Sequence, residues 1–434
     1  MNFKYLRLFI FLAPFVSLSL LCASHPAQAS SISTVQVTGK DLQAFLGHEI
    51  SQMNLQVYRG GKWQALPYQI DEKAFDPIAR GRRWVLDQAF SRRTDLPAGN
   101  GKLEEDEVLL FLLKDMGEKG SPESSTDRPV LEIKSGGGYA YLFLNPKNPL
   151  VSQESYVRYN PNEDEIDALG YKNRFNTHQA IVQEELVPKN QKSGSPANIL
   201  DRFKVRMMLA IKNFIDVNID ESNLTSKKVG YRVGPIRIIR RMAVYKSLGP
   251  IRITPKAESD FLFYPYFVRV PSRLDNPIDG RKSLESNSKG FAGFDFTHFF
   301  YGARFFSEKN PRPVLIDGAM SAEEKGLNLK DVTWWTATSE KGTLIVKVQW
   351  DPNLVKEGVT CNLYYVDDRT SLKPPEMDPG EAAVGFQLDF TQIPAGQYSV
   401  YVNQIFPPGP FQMGTEGTYI NQIQPPAVSV TPVS

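Results

Sequence analysis

Residues 233–256, VGPIRIIRRMAVYKSLGPIRITPK, write Gly-Pro-Ile-Arg-Ile twice, from Gly234 to Ile238 and again from Gly249 to Ile253. Each copy is a turn dipeptide followed by β-branched residues alternating with arginine. A period of two places Ile236, Ile238, Ile251 and Ile253 on one side of an extended ribbon and their arginines on the other. This patterning predicts two neighbouring strands of one sheet, with apolar residues inward and basic residues facing water. Residues 222–257 hold no Asp or Glu, whereas Lys227, Lys228, Arg232, Arg237, Arg240, Arg241, Lys246, Arg252 and Lys256 are basic. The expected consequence is a positive sheet face suited to carboxylate or sulfate groups, with Arg237, Arg240 and Arg252 at its centre.

The rest of the chain repeats the same physics. Short alternating runs punctuated by glycine and proline recur throughout: STVQVT, MNLQVYRGGKWQALPYQI, PVLEIKSGGGYAYLFL, GTLIVKVQW and GQYSVYVNQIF. The run from Val108 to Leu113 is apolar at every position and is expected to be buried on both faces. DRFKVRMMLAIKNFIDV, residues 201–217, fits both a strand and a helix period, and its surroundings favour the strand. The fold class expected is all-β: an N-terminal β-sandwich-like module over residues 30–151, then a larger antiparallel β-sandwich or supersandwich over 152–407. Residues 408–434, rich in proline, read as a C-terminal tail.

The first 29 residues carry a basic head (Lys4, Arg7), an apolar run from Leu8 to Leu21 and the small-residue site Ala27-Gln28-Ala29, which is the pattern of a signal peptide cleaved after Ala29. A lipoprotein reading of Cys22 is disfavoured by Leu21 before it. Cleavage removes Lys4 and Arg7, and so takes the formal charge of +2 to neutrality. The expected location is therefore periplasmic or secreted. A neutral mature chain has no electrostatic footprint for nucleic acid, and no later run reaches the ~18 apolar residues of a membrane helix. Of two cysteines only Cys361 would remain, so no internal disulfide is expected.

Within the first module, Pro67-Tyr68-Gln69-Ile70-Asp71-Glu72 is followed by the turn Ala98-Gly99-Asn100-Gly101 and by Asp106-Glu107-Val108-Leu109-Leu110-Phe111. Residues 100–107 outline a calcium loop, but Leu96 and Ala98 stand where its first carboxylates belong, and an Asn-Gly turn into a buried strand is preferred. The combined pattern resembles a module of exported bacterial proteins found in front of polysaccharide-lyase-like domains with a galactose-mutarotase-like β-supersandwich. The resemblance implies an exported, sugar-related setting for about the first quarter of the chain. It implies no catalytic residue, because no lyase motif matches downstream.

Chemistry-bearing motifs are sparse. The chain has no His-x-x-x-His, Cys-x-x-Cys or Gly-x-Ser-x-Gly spacing, and no metal site or cofactor is expected. Residues 291–306 hold eight aromatics in sixteen positions, around Asp295, His298 and Arg304. His298 with Asp295, or with Asp367 and Asp368, could serve acid–base sugar chemistry; packing inside a sheet is the simpler reading. The aromatic runs fill a core, or else offer stacking platforms beside Arg269 and Arg304. The expectation that follows is a non-catalytic exported protein. It would bind an anionic polysaccharide or an envelope component through Arg237, Arg240, Arg252, Arg269 and Arg304. A carbohydrate-active enzyme of lyase or epimerase type, and a structural part of an envelope assembly, are the alternatives.

Overall fold

The computed structural model describes residues 32–76, 81–89, 98–125, 128–190, 196–213, 215–221, 224–245, 247–248, 251–252, 257–276, 279–359, 361–370 and 382–433. Gly249-Pro250, Ile253, Leu96, the side chains of Arg252 and Cys361, and residues 1–31, which include the expected signal peptide, lie outside them.

The fold is all-β, with antiparallel pairing at every ladder among the described residues. In the N-terminal module, Thr34–Thr38, Val108–Leu112 and Gln69–Asp71 form a three-stranded sheet. It packs on a five-stranded sheet ordered Lys62–Ala65, Met53–Arg59, Gly138–Leu144, Val130–Ser135 and Ser429–Pro432. Gly60 and Gly61, at φ 54° and 79°, make the tight hairpin turn that only residues tolerant of positive φ accept readily. Strand Val108–Leu112 is buried on both faces, as its unbroken apolar run predicts. Leu109 and Phe111 enter the module core, while Val108, Leu110 and Leu112 pack with Ile236 from the larger region.

The larger region sets a ten-stranded sheet against a five-stranded one, with a core of Phe263, Phe294, Phe296, Phe305, Trp335 and Val384 between them. The five-stranded sheet runs Ile215–Ile219, Leu200–Ile211, Lys289–Phe296, Ala382–Asp389 and Cys361–Val366. A four-stranded sheet, Val157–Asn160, Glu165–Ala168, Tyr171–Phe175 and Gln183–Pro188, covers part of the same core. Residues 201–211 are strand, as expected. No helix among the described residues is long and apolar enough to cross a membrane.

Two expectations are corrected. The repeated Gly-Pro-Ile-Arg-Ile copies are not paired strands. The first supplies a turn and then the start of strand Ile238–Tyr245, which pairs with Thr225–Val233 and Ala257–Phe263. From the second, Ile251–Arg252 pairs only with Ser247–Leu248. The second expectation concerns residues 408–434, read as a proline-containing tail, which contribute a helix and a strand to the fold. Helix Glu416–Gln422 is held to the ten-stranded sheet by Arg269, whose Nη2 donates to the Ile423 carbonyl at 3.1 Å. Strand Ser429–Pro432 then returns to pair with Val130–Ser135 of the first module. Proline is tolerated there because an edge strand needs no donor on its outer side. Strand Gln88–Ala89, from the first module, in turn extends the ten-stranded sheet by pairing with Thr225–Val233.

Candidate functional site

The basic strand does not present a wet face. Arg237, Ile239 and Arg241 lie on one face of Ile238–Tyr245 and its entry turn, and Ile238, Arg240 and Met242 lie on the other. All of them are buried, with Arg237 only 2% exposed and Arg240 and Arg241 at 0%. A buried guanidinium needs a paired acid, and each has one.

Arg237 donates from Nε to Asp71 Oδ2 at 3.0 Å, from Nη2 to the same oxygen, and from Nη1 to the Tyr264 hydroxyl at 2.8 Å. Its guanidinium also lies 4.6 Å from the Trp84 ring. Gln69 completes the clamp: its Oε1 accepts from the backbone N–H of Ile236 and Arg237 at 2.9 and 2.7 Å, and its Nε2 meets both Asp71 oxygens at 2.9 Å. Arg232 adds an ion pair to Asp71 Oδ1 at 3.1 Å. The Gln-x-Asp of the first module and the Gly-Pro-Ile-Arg of the second thus recognise one another. Gly234 is required here, because a Cβ on it would sit 2.1 Å from Gln69 Oε1.

Arg240 is held by Asp164 through Nε at 2.9 Å and Nη2 at 2.6 Å. Burial would raise the Asp164 carboxyl, but the Arg240 hydrogen bonds and charge outweigh it and hold the carboxyl below its usual range. Arg241 pairs with Asp260, Nη2 to Oδ2 at 2.9 Å. The expected docking surface is therefore overturned at these residues: the cations are spent on the chain's own acids, Arg237 and Arg240 at joints between sheets and Arg241 across adjacent strands of one sheet.

The remaining candidates separate. Arg269 is also structural, its Nε donating to Asn403 Oδ1 at 3.0 Å. Arg304 is exposed, opposite Leu315 near the ten-stranded sheet's proline-guarded edge strand Asn310–Ile316. His298 is exposed on the turn after Lys289–Phe296, its ring against Phe299 at 4.1 Å. Asp295 is buried and pairs with Lys204 Nζ at 2.7 Å. Asp367 is buried too, its two oxygens accepting from the N–H groups of Asp317 and Gly318 at 2.7 and 2.8 Å. Burial, ahead of the nearby Glu324 and Asp317 charges, pushes it up to about 6 despite those N–H groups. Glu107 points inward, accepting from the N–H of Lys73 and Glu104 at 3.3 and 3.1 Å, and burial pushes it up to about 7. Among the described residues no group of three acid, histidine or cysteine side chains is placed to hold a metal.

Asp295 belongs to a second charged cluster that residues 291–306 alone do not reveal. On strand Leu200–Ile211, Phe203, Met207 and Leu209 face the large core. Arg202, Lys204 and Arg206 alternate with them and so occupy the outer face of the five-stranded sheet. Lys204 is fully buried against Asp295, and Arg206 Nη2 lies 3.5 Å from Glu221 Oε2. None of these charged groups stands free. The register places Asp295, Gly293 and Phe291 opposite this row, then Ala383, Gly385 and Gln387, then Val366, Tyr364 and Asn362. The Phe291 and Tyr364 rings meet edge-on at 4.5 Å. The face thus combines basic and acidic groups with glycines, an alanine and an aromatic pair, but its centre is covered: Lys204, Arg206, Asp295, Ala383 and Phe291 are all buried, and Arg202 is its exposed end. The signal was in the sequence: in DRFKVRMM, Arg-x-Lys-x-Arg interleaves with apolar residues.

No family model matches the chain, and no curated protein does. Two solved structures are similar over most of it: an α-mannosidase from Enterococcus faecalis V583 and a glycosyl hydrolase family 38 protein from Enterococcus faecalis. Both are 10% identical with a TM-score of 0.42, and they match 93% and 92% of this chain. The chain spans 43% and 45% of their lengths.

Proposed function

We propose that this is an exported protein that binds an acidic glycan, without converting it, at the Arg202 end of the five-stranded sheet. One arrangement carries the reading: the basic row Arg202, Lys204 and Arg206 is buried and paired to acids at Lys204 and Arg206 and reaches the surface at Arg202. The row becomes accessible at Arg202, whose side chain is 43% exposed and is engaged by Asp201, itself 53% exposed, at 3.2 Å. An exposed pair of that kind is weak, so a ligand carboxylate or sulfate can displace it. Export, the expectation from residues 1–29, brings the protein to where such polymers occur.

The test is retention on immobilised acidic glycans, such as alginate, polygalacturonate and heparin, beside neutral controls, with circular dichroism to verify folding. The expected result is retention on one or more acidic resins that weakens with salt and is lost in Arg202→Glu. Absence of retention, or an Arg202→Glu protein retained like the parent, would reject the site. Consumption of the bound glycan would transfer the reading to the enzyme class. N-terminal sequencing of the exported protein should begin at Ser30.

A further inference from the structure

Three amide side chains meet inside the largest core. Asn173 lies on Tyr171–Phe175, and its neighbours fix where it points: Tyr171 stacks on Phe406 at 4.4 Å, and Phe175 packs on Phe261 and Phe263, both at 5.9 Å. Between those anchors the facing row of the ten-stranded sheet is Val268, Gln404 and Val346. Gln183 stands opposite Phe175 in register, and its Oε1 accepts from Gln404 Nε2 at 3.4 Å. Asn173, Gln183 and Gln404 are 0%, 3% and 4% exposed. Yet Asn173 Oδ1 and Nδ2, Gln183 Nε2 and Gln404 Oε1 meet no protein hydrogen-bond partner.

Buried amide atoms are satisfied in native proteins, by protein groups or by fixed water. Two acceptor oxygens and two donor amides thus lie unpartnered in facing layers, which matches a water molecule's capacity to donate twice and accept twice. The set is neutral, so an ion would be buried without a counter-charge. Arg240, 4.1 Å from the Phe175 ring, offers one more unpartnered donor in Nη1, while its charge stays balanced by Asp164. We infer that Asn173, Gln183 and Gln404 form an internal water-binding site that joins the four-stranded sheet to the ten-stranded one. This site is independent of the proposed glycan face.

A high-resolution crystal structure tests it directly, and a stability cycle tests it in solution. Density for a water within hydrogen-bonding reach of at least two of the three amides supports the site; amides rotated into direct pairing, or density of another molecule, would overturn it. Gln404→Met and Asn173→Leu should each lower the thermal midpoint by about 2–4 °C, since each leaves the water's other partners unsatisfied. The double variant should lose less than the sum of the two, although the side chains share no direct bond. A midpoint that rises in either single variant, or strictly additive losses, would show amides that hold nothing.

Discussion

Replacing Asp71 by alanine should be among the most damaging single changes in this protein. The carboxylate is fully buried, receives two N–H groups of Arg237 and one of Arg232, and is braced by Gln69. Without it the Arg237 guanidinium, itself 2% exposed, stays buried with no acid beside it among the described residues, only the Tyr264 hydroxyl and the Trp84 ring. Breaking a buried pair from one side costs about 3–5 kcal/mol. The matched control is Glu357→Ala, which removes a pair at 3.2 Å between side chains 48% and 47% exposed and should leave the urea midpoint almost unchanged. Urea unfolding followed by tryptophan fluorescence reads both, with Trp84 reporting directly because it lies against Arg237. The Asp71 effect should persist in high salt, since a desolvated pair is little screened. A loss below about 1 kcal/mol, indistinguishable from the control, would refute the claim that this clamp unites the two regions.

Four further outcomes follow from the same geometry. Gly234→Ala should cost about 1–3 kcal/mol, because the added carbon meets Gln69 Oε1 at 2.1 Å; an unchanged urea midpoint would refute it. Glu107, raised in the folded state to about 7 from 4.5, favours its neutral form there. Its contribution to stability is full below pH 4.5 and is lost as pH rises through 7, so carbon NMR should find its folded titration near neutrality and far from an unfolded glutamate's. Truncation after Gln424 removes strand Ser429–Pro432 and the partly buried Val428 and Val430 from the first module; a loss of about 2–4 kcal/mol is expected by urea unfolding. Lys204→Met with Asp295→Leu should keep or raise the thermal midpoint; a lowered midpoint would refute the view that this buried pair is dispensable for folding.

Sequence periodicity revealed the strands better than it revealed what their second faces meet. The run Val108 to Leu113 was readable because burial on both faces writes itself into local composition, whereas the spacing of residues 201–217 fitted two periods and only the surroundings favoured the strand. The arginines of residues 237–241 show the limit: alternation identifies two faces, but says nothing of the acids that arrive from elsewhere. Asp260 is 19 positions from Arg241, Asp164 is 76 from Arg240, and Asp71 is 166 from Arg237. A stretch without a single acid therefore looks like an exposed patch and is in fact an internal junction. The C-terminal strand escaped for a different reason: four residues containing a proline carry too little pattern to announce pairing with a partner almost three hundred positions away.

The two sets of buried charge differ in what they connect, and that difference assigns them different roles. Arg237 with Asp71 and Arg240 with Asp164 each tie together sheets that no backbone ladder joins along their strands, so ionic recognition specifies how the layers dock. Lys204 and Asp295 lie on strands already zipped from Met208↔Lys289 to Leu200↔Phe296 by backbone pairing. Their attraction fixes no topology that the ladder leaves open. Two well-packed apolar side chains would hold the same sheet at least as firmly, yet the chain places a lysine and two arginines in that row. The row is buried at Lys204 and Arg206 and exposed at Arg202, and for this reason the proposal rests on the Arg202 end of that face, and not on the strand that contains Arg237, whose arginines are all buried.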